Sequence, residues 1–386
     1  MEKLKYSLKN NFQKYTLVIE MIAIFVLFQF LTNGLFMTTR NLSNLMMQGT
    51  TCSLIAVTMM LVIVTCNADL SAGSAIGFIG TFAATLQVSQ WNTGITFAAV
   101  IAVALVLGLW HGFWIAYIKL PAFIVTLATQ LVLKGLNLFV GGGVSIGPVS
   151  QSFSHLGKTY LPGLFGAGAF NGLSLVLTIA GIVAYFSLNI VQEKKKIKLG
   201  LVTPDWNRKR LMMIGVAAIA FAIASIFIFY MGFPLAIIML VVLVAIFEFV
   251  VKNTKFGRHV FAVGGNSEAA RLSGVNIEKT VMCVYILHSL VVGLAAVIYL
   301  GRVGQASPTA GTSFEFTAIT GCVVGGTSIM GGRGNVIGAV IGTMLMASLD
   351  NGMSLLNLGQ ASQFLVKGLV LMLAITMDVI SLKKNG

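Results

Sequence analysis

The chain has 386 residues, of which 57% are apolar and only 9% charged, with a formal net charge of +14. A soluble domain carries roughly 25% charged residues to face water, so this composition excludes a soluble enzyme, a disordered chain and a nucleic-acid binder. The excess of positive charge is a question of membrane sidedness, to be settled loop by loop.

About 20 apolar residues cross a bilayer. The basic N-terminus precedes an apolar run from Thr16 to Phe36. That run is too long for the core of a signal peptide and no small-x-small cleavage site follows it closely, so it is read as the first span. Further segments follow near 50–66, 73–90, 94–117, 122–140, 168–191, 211–231, 233–251, 281–300, 316–330, 335–352 and 362–380, twelve in all. Segments 73–90, 316–330 and 335–352 are short or Gly-interrupted, so ten full spans with broken or re-entrant pieces fit as well as twelve. The expected fold is all-α, a polytopic transmembrane helical bundle of about 10–12 segments in one domain over 1–386. Its candidate halves, 16–191 and 211–380, would be joined by the basic loop 192–210.

An even number of spans puts both termini on one face. With the N-terminus inside, twenty of the 25 Lys and Arg fall in cytoplasmic segments: the N-tail, Lys119, loop 192–210, loop 252–280, Arg333 and the Lys383–Lys384 tail. Arg40, Lys158 and Arg302 fall outside, and Lys134 and Lys367 lie within spans. This asymmetry predicts a plasma-membrane protein with both termini cytoplasmic, its two richest loops facing anionic lipid. The external loop 141–165, rich in Gly, Ser and Pro, has room for a short surface helix able to meet an external partner. The run 73–81 echoes 334–343, each opening an apolar helix after a polar break; a repeat and two independent Gly-rich packing helices both account for it. Cys52, Cys66, Cys283 and Cys322 lack CxxC spacing and read as small core residues.

No nucleotide or catalytic motif is complete. Gly157-Lys158-Thr159 ends like a Walker A loop, but Ser152 stands where its first glycine belongs. Gly332-Arg333-Gly334 and Gly141-Gly142-Gly143 lack dinucleotide spacing. His111, His155, His259 and His288 show no ligand spacing. Acids in apolar segments are more informative, because an Asp at mid-helix costs about 2.5–3.5 kcal/mol to insert. Glu20 and Glu248 sit near cytoplasmic span ends. Asp69, after Asn67 and before Ser71, suits a helix that restarts after a break, either as a cap or as a cavity-lining polar group. Glu315 opens segment 316–330 as a cap or gate hinge. Trp110, His111 and Trp114 form either an interfacial aromatic belt or a stacking surface for a sugar ring. Asp350-Asn351-Gly352 reads as a turn with a polar cap. Gln130 and Asn137 flank Lys134 at helical spacing and either line a pore or bond between helices. The candidate pore or gate residues are Asn67, Asp69, Ser71, Phe123, Asn137, Glu315 and Asn351.

Loop 252–280 is the most specific passage. Gly264 and Gly265 break the chain, Asn266 or Ser267 caps a short helix, and Glu268 in its first turn can pair with Arg271. Ala269 and Ala270 allow close approach, and after Leu272 and Ser273 the helix ends at Gly274. Two turns are marginal alone in water. The helix therefore docks, either on its own membrane domain or on a cytoplasmic partner whose motion it carries into the spans.

At these residues the chain resembles the membrane permease subunit of bacterial ABC monosaccharide importers of the ribose/xylose/galactose type. The matching runs are ADLSAGS (68–74), KLPAFIVTLA (119–128), FGRHVFAVGGNSEAARLSGVNIEKT (256–280), ASPTAGTSFEFTAI (306–319), GGTSIMGGRGNVIGAVIG (325–342) and LDNGMSLL (349–356). The basic central loop and the DNGMS run look most like the xylose or multiple-monosaccharide branch. Thr317 and His288 depart from the family pattern. The resemblance implies a permease homodimer, a separate cytoplasmic sugar-importer ATPase that binds ATP and magnesium, and an extracellular or periplasmic sugar-binding protein. In that picture 264–274 is the coupling helix in the ATPase cleft, and this chain binds no cofactor or metal and is not itself an enzyme.

Overall fold

Long runs of Leu, Ile, Val, Ala and Phe can satisfy their backbone groups in lipid only as helices. The computed structural model describes residues 12–164, 170–200 and 206–385, and within them every regular element is a helix, with two isolated β-bridges besides. The N-tail to residue 11, residues 201–205 of the basic central loop, and the side chains of Lys383 and Lys384 lie outside the described residues. In chain order the helices are α1 (Phe12–Leu31), α2 (Thr39–Val64), α3 (Ala72–Val88), α4 (Thr93–Gly112, running on through a π turn at Phe113–Tyr117), α5 (Ala122–Gly141), α6 (Gln151–Lys158), α7 (Gly172–Lys198) and α8 (Trp206–Ile228). They continue with α9 (Leu235–Asn253), α10 (Lys255–Gly265), α11 (Ser267–Leu272), α12 (Ile277–Val303), α13 (Phe314–Val324), α14 (Val336–Leu355) and α15 (Gln360–Asn385).

Among the described residues nine helices are long and apolar enough to cross a membrane, and three shorter apolar helices lie at Ile19–Leu31, Ala72–Val88 and Phe314–Val324. These are the twelve expected segments. Segments 73–90 and 316–330 are short helices, as their glycines suggested. Segment 335–352 is instead a full 20-residue helix whose Asn335 side chain accepts from the Gly338 N–H at 2.9 Å. The expected turn at Asp350-Asn351-Gly352 is absent: these residues continue α14 to Leu355, and Asp350 pairs with Lys367 of α15 at 2.8 Å.

The chain divides into two compact units. The smaller comprises 38–44 and 159–235. Within it α7 and α8 pair, and the connections at their ends are sewn together by Leu161 N–H to the Phe233 carbonyl (2.8 Å) and Leu235 N–H to the Thr159 carbonyl (2.8 Å). Asn171 caps α7 through the Ser174 N–H at 2.9 Å, and buried Glu193 is paired with Lys209.

The larger unit is organised around α12, which packs against α3, α4 and α6. Glycine sets these crossings. A Cβ on Gly108 would meet the backbone of Tyr285 and Ile286, and one on Gly157 of α6 would meet the α12 backbone near Ile298 and Arg302. The expected short helix in loop 141–165 is thus α6, and it rests on α12 with Phe153 fully buried. The α13–α14 crossing is closer still: Gly321 faces Thr343 and Gly342, and Gly325 faces Gly338, leaving no room for a side chain. Small residues allow this backbone approach, which is how helices pack where no hydrophobic force separates protein from lipid. Gly73 and Gly334, which open the two echoing runs, are likewise crowded. Cys52 and Cys322 are buried, whereas Cys66 and Cys283 are exposed rather than core.

Gly342→Ala is expected to lower the melting temperature of the detergent-purified protein, at the roughly 1–3 kcal/mol typical of overpacking. Gly181→Ala, where a Cβ meets nothing, should be neutral or slightly stabilising. Equal melting curves for both would show that the α13–α14 contact does not set the packing.

Candidate functional site

Two helices of the larger unit begin inside the protein, not at its edge. The first is α3. After α2 ends at Val64 the chain runs through Cys66, held at φ +60°, to Asp69. Asp69 is 2% exposed. Its Oδ1 accepts the Ser71 N–H at 2.7 Å and the Ser71 hydroxyl at 2.6 Å. Ser71 holds the N-cap position without a side-chain cap bond, so the carboxylate stands at the positive end of α3 and takes one of its free amides.

The other oxygen of Asp69 faces two imidazoles, His288 Nε2 at 3.4 Å and His111 Nδ1 at 3.8 Å. Both histidines are buried. Thr58 of α2 bonds the far nitrogen of His288 at 3.0 Å, and the Tyr285 ring lies on His111 with centroids 5.7 Å apart. A buried carboxylate without partners would be prohibitively costly; here Ser71, His111 of α4 and His288 of α12 supply them, and α2 braces His288 through Thr58. His288 lies eleven residues, about 16 Å, along α12, a 27-residue helix, so the cluster sits well inside the span. His111 therefore does not belong to the aromatic belt expected for Trp110 and Trp114. Trp110 does lie at the surface, half exposed, its Nε1 donating to Thr129 at 3.2 Å. The histidine spacing carried no ligand signature because the partner lies in a different segment. The available signal was that three ionisable groups in apolar runs must find one another.

The second interior start is α13. Ser313, at φ +65°, leads into it, and Glu315 in its first turn is buried. Glu315 Oε1 accepts from Gln130 Nε2 of α5 at 3.1 Å, while its Oε2 has no hydrogen-bond partner and lies directly over Gly73 at the start of α3. The strand of loop leading to α13 crosses α3 at the same glycines: the Gly311 carbonyl lies on Gly73 and the Ala310 carbonyl on Gly77. Asn137 of α5 donates to the Pro308 carbonyl at 3.2 Å, and its own Oδ1 is unpartnered. Gln130 and Asn137 thus bond between elements, and Lys134 between them is exposed. Thr317 is buried one turn into α13.

The other candidates lie apart from this meeting of half-helices. Asn67 donates to the Thr65 carbonyl at 2.9 Å on the approach to Asp69. Phe123, 58% exposed, stands at the start of α5, and Asn351 is buried in α14.

The expected docking helix is α11. Asn266 Oδ1 accepts from the Ala269 N–H at 2.9 Å, Glu268 and Arg271 pair at 3.7 Å on its exposed face, and Gly274 at φ +82° ends it. Ser267, Ala269, Ser273 and Gly265 are exposed and Ala270 is buried; Leu272 is 83% exposed. Behind it Gly264 meets the carbonyl of Val64 and the backbone of Gly332 so closely that no Cβ fits. The Gly332 N–H donates to the Val64 carbonyl at 3.0 Å, and the Cys66 thiol reaches the carbonyls of Met330 (3.2 Å) and Gly264 (3.4 Å). One junction therefore ties the root of α11 to the chain that leads, three residues on, to Asp69.

Fold and site together define a polytopic α-helical membrane protein with discontinuous helices, the architecture of a transport permease. The family described as branched-chain amino acid transport system / permease component matches residues 41–375, and the chain belongs to that family. It is 37% identical over 373 residues to the xylose transport system permease protein XylH of Escherichia coli K12, covering 95% of this chain and 92% of that one. Against XylH of Haemophilus influenzae the identity is 36% over 383 residues, 98% of this chain and 100% of the relative. Against the ribose import permease protein RbsC of Escherichia coli K12 it is 31% over 343 residues, 89% and 87%. No solved structure matches the chain significantly.

Asp69→Leu leaves two buried imidazoles without their acceptor and is expected to cost roughly 3–5 kcal/mol, read as a lower melting temperature in detergent. Asp69→Asn, which still accepts from Ser71, should lose less. A leucine variant as stable as the parent would show that the carboxylate is not a buried partner of the histidines.

Proposed function

We propose that this chain is the membrane-spanning permease subunit of an ATP-driven, binding-protein-dependent importer of a monosaccharide, of the xylose type or a hexose such as galactose. The observation that carries this reading is α11: an exposed, capped two-turn helix whose base is fused to the backbone at Val64 and Gly332. The names of its xylose and ribose relatives support a sugar over the branched-chain amino acids of the family description. ATP and magnesium bind the partner ATPase, and this chain hydrolyses nothing. An external sugar-binding protein delivers the substrate, and two permease chains form the pore.

Both termini lie in the cytoplasm. The distribution of basic residues supports this, and contacts between loops support the alternation of spans. Lys119 pairs with Glu278 at 3.9 Å, both on the inferred inner side, whereas Ile146 bridges Ala306 on the outer. The basic loops rest against anionic inner-leaflet lipid.

In this mechanism closure of the ATPase pair displaces α11. With no side chain between Gly264, Val64 and Gly332 there is nothing soft to absorb the displacement. It passes to the 65–71 segment and hence to the start of α3, where Gly73 meets Glu315. Separating these two half-helix starts opens the path, and their amides and the polar edge of α5 face sugar hydroxyls without binding them tightly. Selectivity rests with the binding protein. One observation favours a second reading, a proton-coupled carrier: Asp69 with His111 and His288 is a buried titratable group within the spans.

Uptake of labelled sugars into vesicles holding the permease, its ATPase and its binding protein separates the two. ATP-dependent uptake that survives a protonophore is expected; uptake abolished by the protonophore and indifferent to ATP would establish the carrier instead. Ala269→Glu and Gly265→Trp, both at exposed positions, should abolish ATP-driven uptake with normal amounts of protein in the membrane. Wild-type uptake in both would remove α11 from the coupling route. A C-terminal fluorescent-protein fusion should fluoresce and a C-terminal alkaline phosphatase fusion should be inactive; the reverse pattern would place the C-terminus outside.

A further inference from the structure

The last helix has an unusual attachment. No residue of the α15 span is fully buried: Leu365, Leu369, Met372, Leu373 and Met377 face outward, and the opposite face, with Val366 and Leu371, is half-buried. Apolar burial on one face therefore does only part of fixing its position. Near its C-terminal end, however, Asp378 Oδ2 accepts two hydrogen bonds from the loop between α13 and α14: one from the Ser328 hydroxyl at 3.0 Å and one from the Ile329 N–H at 3.2 Å.

That loop needs an external restraint. It contains Gly326, Gly331 and Gly332, all at positive φ (93°, 82° and 69°), conformations glycine adopts freely and holds weakly. Its start is tied back to α13 by the Gly326 and Thr327 N–H groups (2.9 Å each, to the Val323 and Cys322 carbonyls); beyond that its internal bonds are two, Gly331 N–H to the Ser328 carbonyl at 3.1 Å and Ser328 N–H to the Arg333 carbonyl at 3.0 Å. Ser328 is buried, so without the carboxylate its hydroxyl would lose its acceptor. Two residues beyond Ser328 the same loop meets the Cys66 thiol through the Met330 carbonyl, and Gly332 lies against Val64 and Gly265. The loop is thus the floor on which the root of α11 stands, and Asp378 is the charged group that holds it from the other side.

We propose that Asp378 is a positioning residue for energy coupling: by accepting from Ser328 and Ile329 it fixes loop 328–332 beneath the docking helix, so that the last helix takes part in transmitting the ATPase stroke. This rests on the importer reading above. It adds a part of the chain, α15, that the docking helix itself never touches through the contacts described.

The test compares Asp378→Ala, Asp378→Asn and Ser328→Ala in a Cys283→Ser background, where Cys66 is the exposed thiol and Cys52 and Cys322 are buried. Two readouts are taken: the rate of maleimide labelling of Cys66 in the purified full-length permease, and ATP-driven sugar uptake in vesicles with ATPase and binding protein. Asp378→Ala is expected to label several-fold faster and to lose about tenfold in uptake, the size of a lost charge-assisted hydrogen bond, while still retaining the ATPase on capture. Asp378→Asn keeps an acceptor oxygen and should retain most of both properties. Unchanged Cys66 labelling in Asp378→Ala overturns the proposal, because the loop is then held by something else. Faster labelling with normal uptake also overturns it, because the loop is then released without consequence for coupling. If Asp378→Ala fails to reach the membrane, Ser328→Ala decides by the same two criteria. Failure of the importer reading looks different: ATP-driven uptake is then missing with Asp378 intact, whatever Cys66 does.

Discussion

Three stretches of backbone, at Val64, Gly264 and Gly332, meet with no space for a side chain between them. The ends of α2, α10 and the loop before α14 are brought together there, although they are separated by some 200 and some 70 residues in sequence. Side-chain packing absorbs small displacements by rotamer changes, but backbone against backbone does not. The position of α11, the course of the chain to Asp69 and the start of α3 all depend on this contact. The same device, glycine against main chain, recurs where Gly311 crosses Gly73 and where Gly338 crosses Gly325.

Against that stiff frame the polar groups are arranged by the cost of leaving them unpaired. Asp69 accepts from an amide and a hydroxyl and faces two histidines, which makes it a fixed knot between the start of α3, α4 and α12, with α2 joined to it through the Thr58–His288 bond. Glu315 and Asn137 differ: each makes one bond and leaves one buried oxygen without a partner. Buried polar groups are nearly always bonded, which sets these two apart from the rest of the interior. The fixed knot stands just before the start of α3, and Glu315 lies over Gly73 in its first turn.

Much of this was legible in the sequence. Apolar run length alone located all twelve segments, and the glycines in 73–90 and 316–330 marked the short helices. Asn266 and Gly274 announced the limits of α11, because cap and left-handed stop are local chemistry. What stayed hidden was pairing across the chain. Nothing near His111 or His288 names Asp69 as partner, and nothing near Asp378 names Ser328, since those partners meet only once the helices have packed. The DNG sequence at 350–352 suggested a turn by composition; in α14 its acid is used by Lys367 from the next helix, a tertiary demand that overrides local preference.

The Asp350–Lys367 pair also bears on how the protein is made. A charge at the centre of a span costs on the order of 2.5–3.5 kcal/mol by insertion scales and less toward its end, and the pair across α14 and α15 is largely self-neutralising. Only the short connection 356–359 separates the two helices. Inserted together as a hairpin, the two helices carry each other's counter-ion into the bilayer.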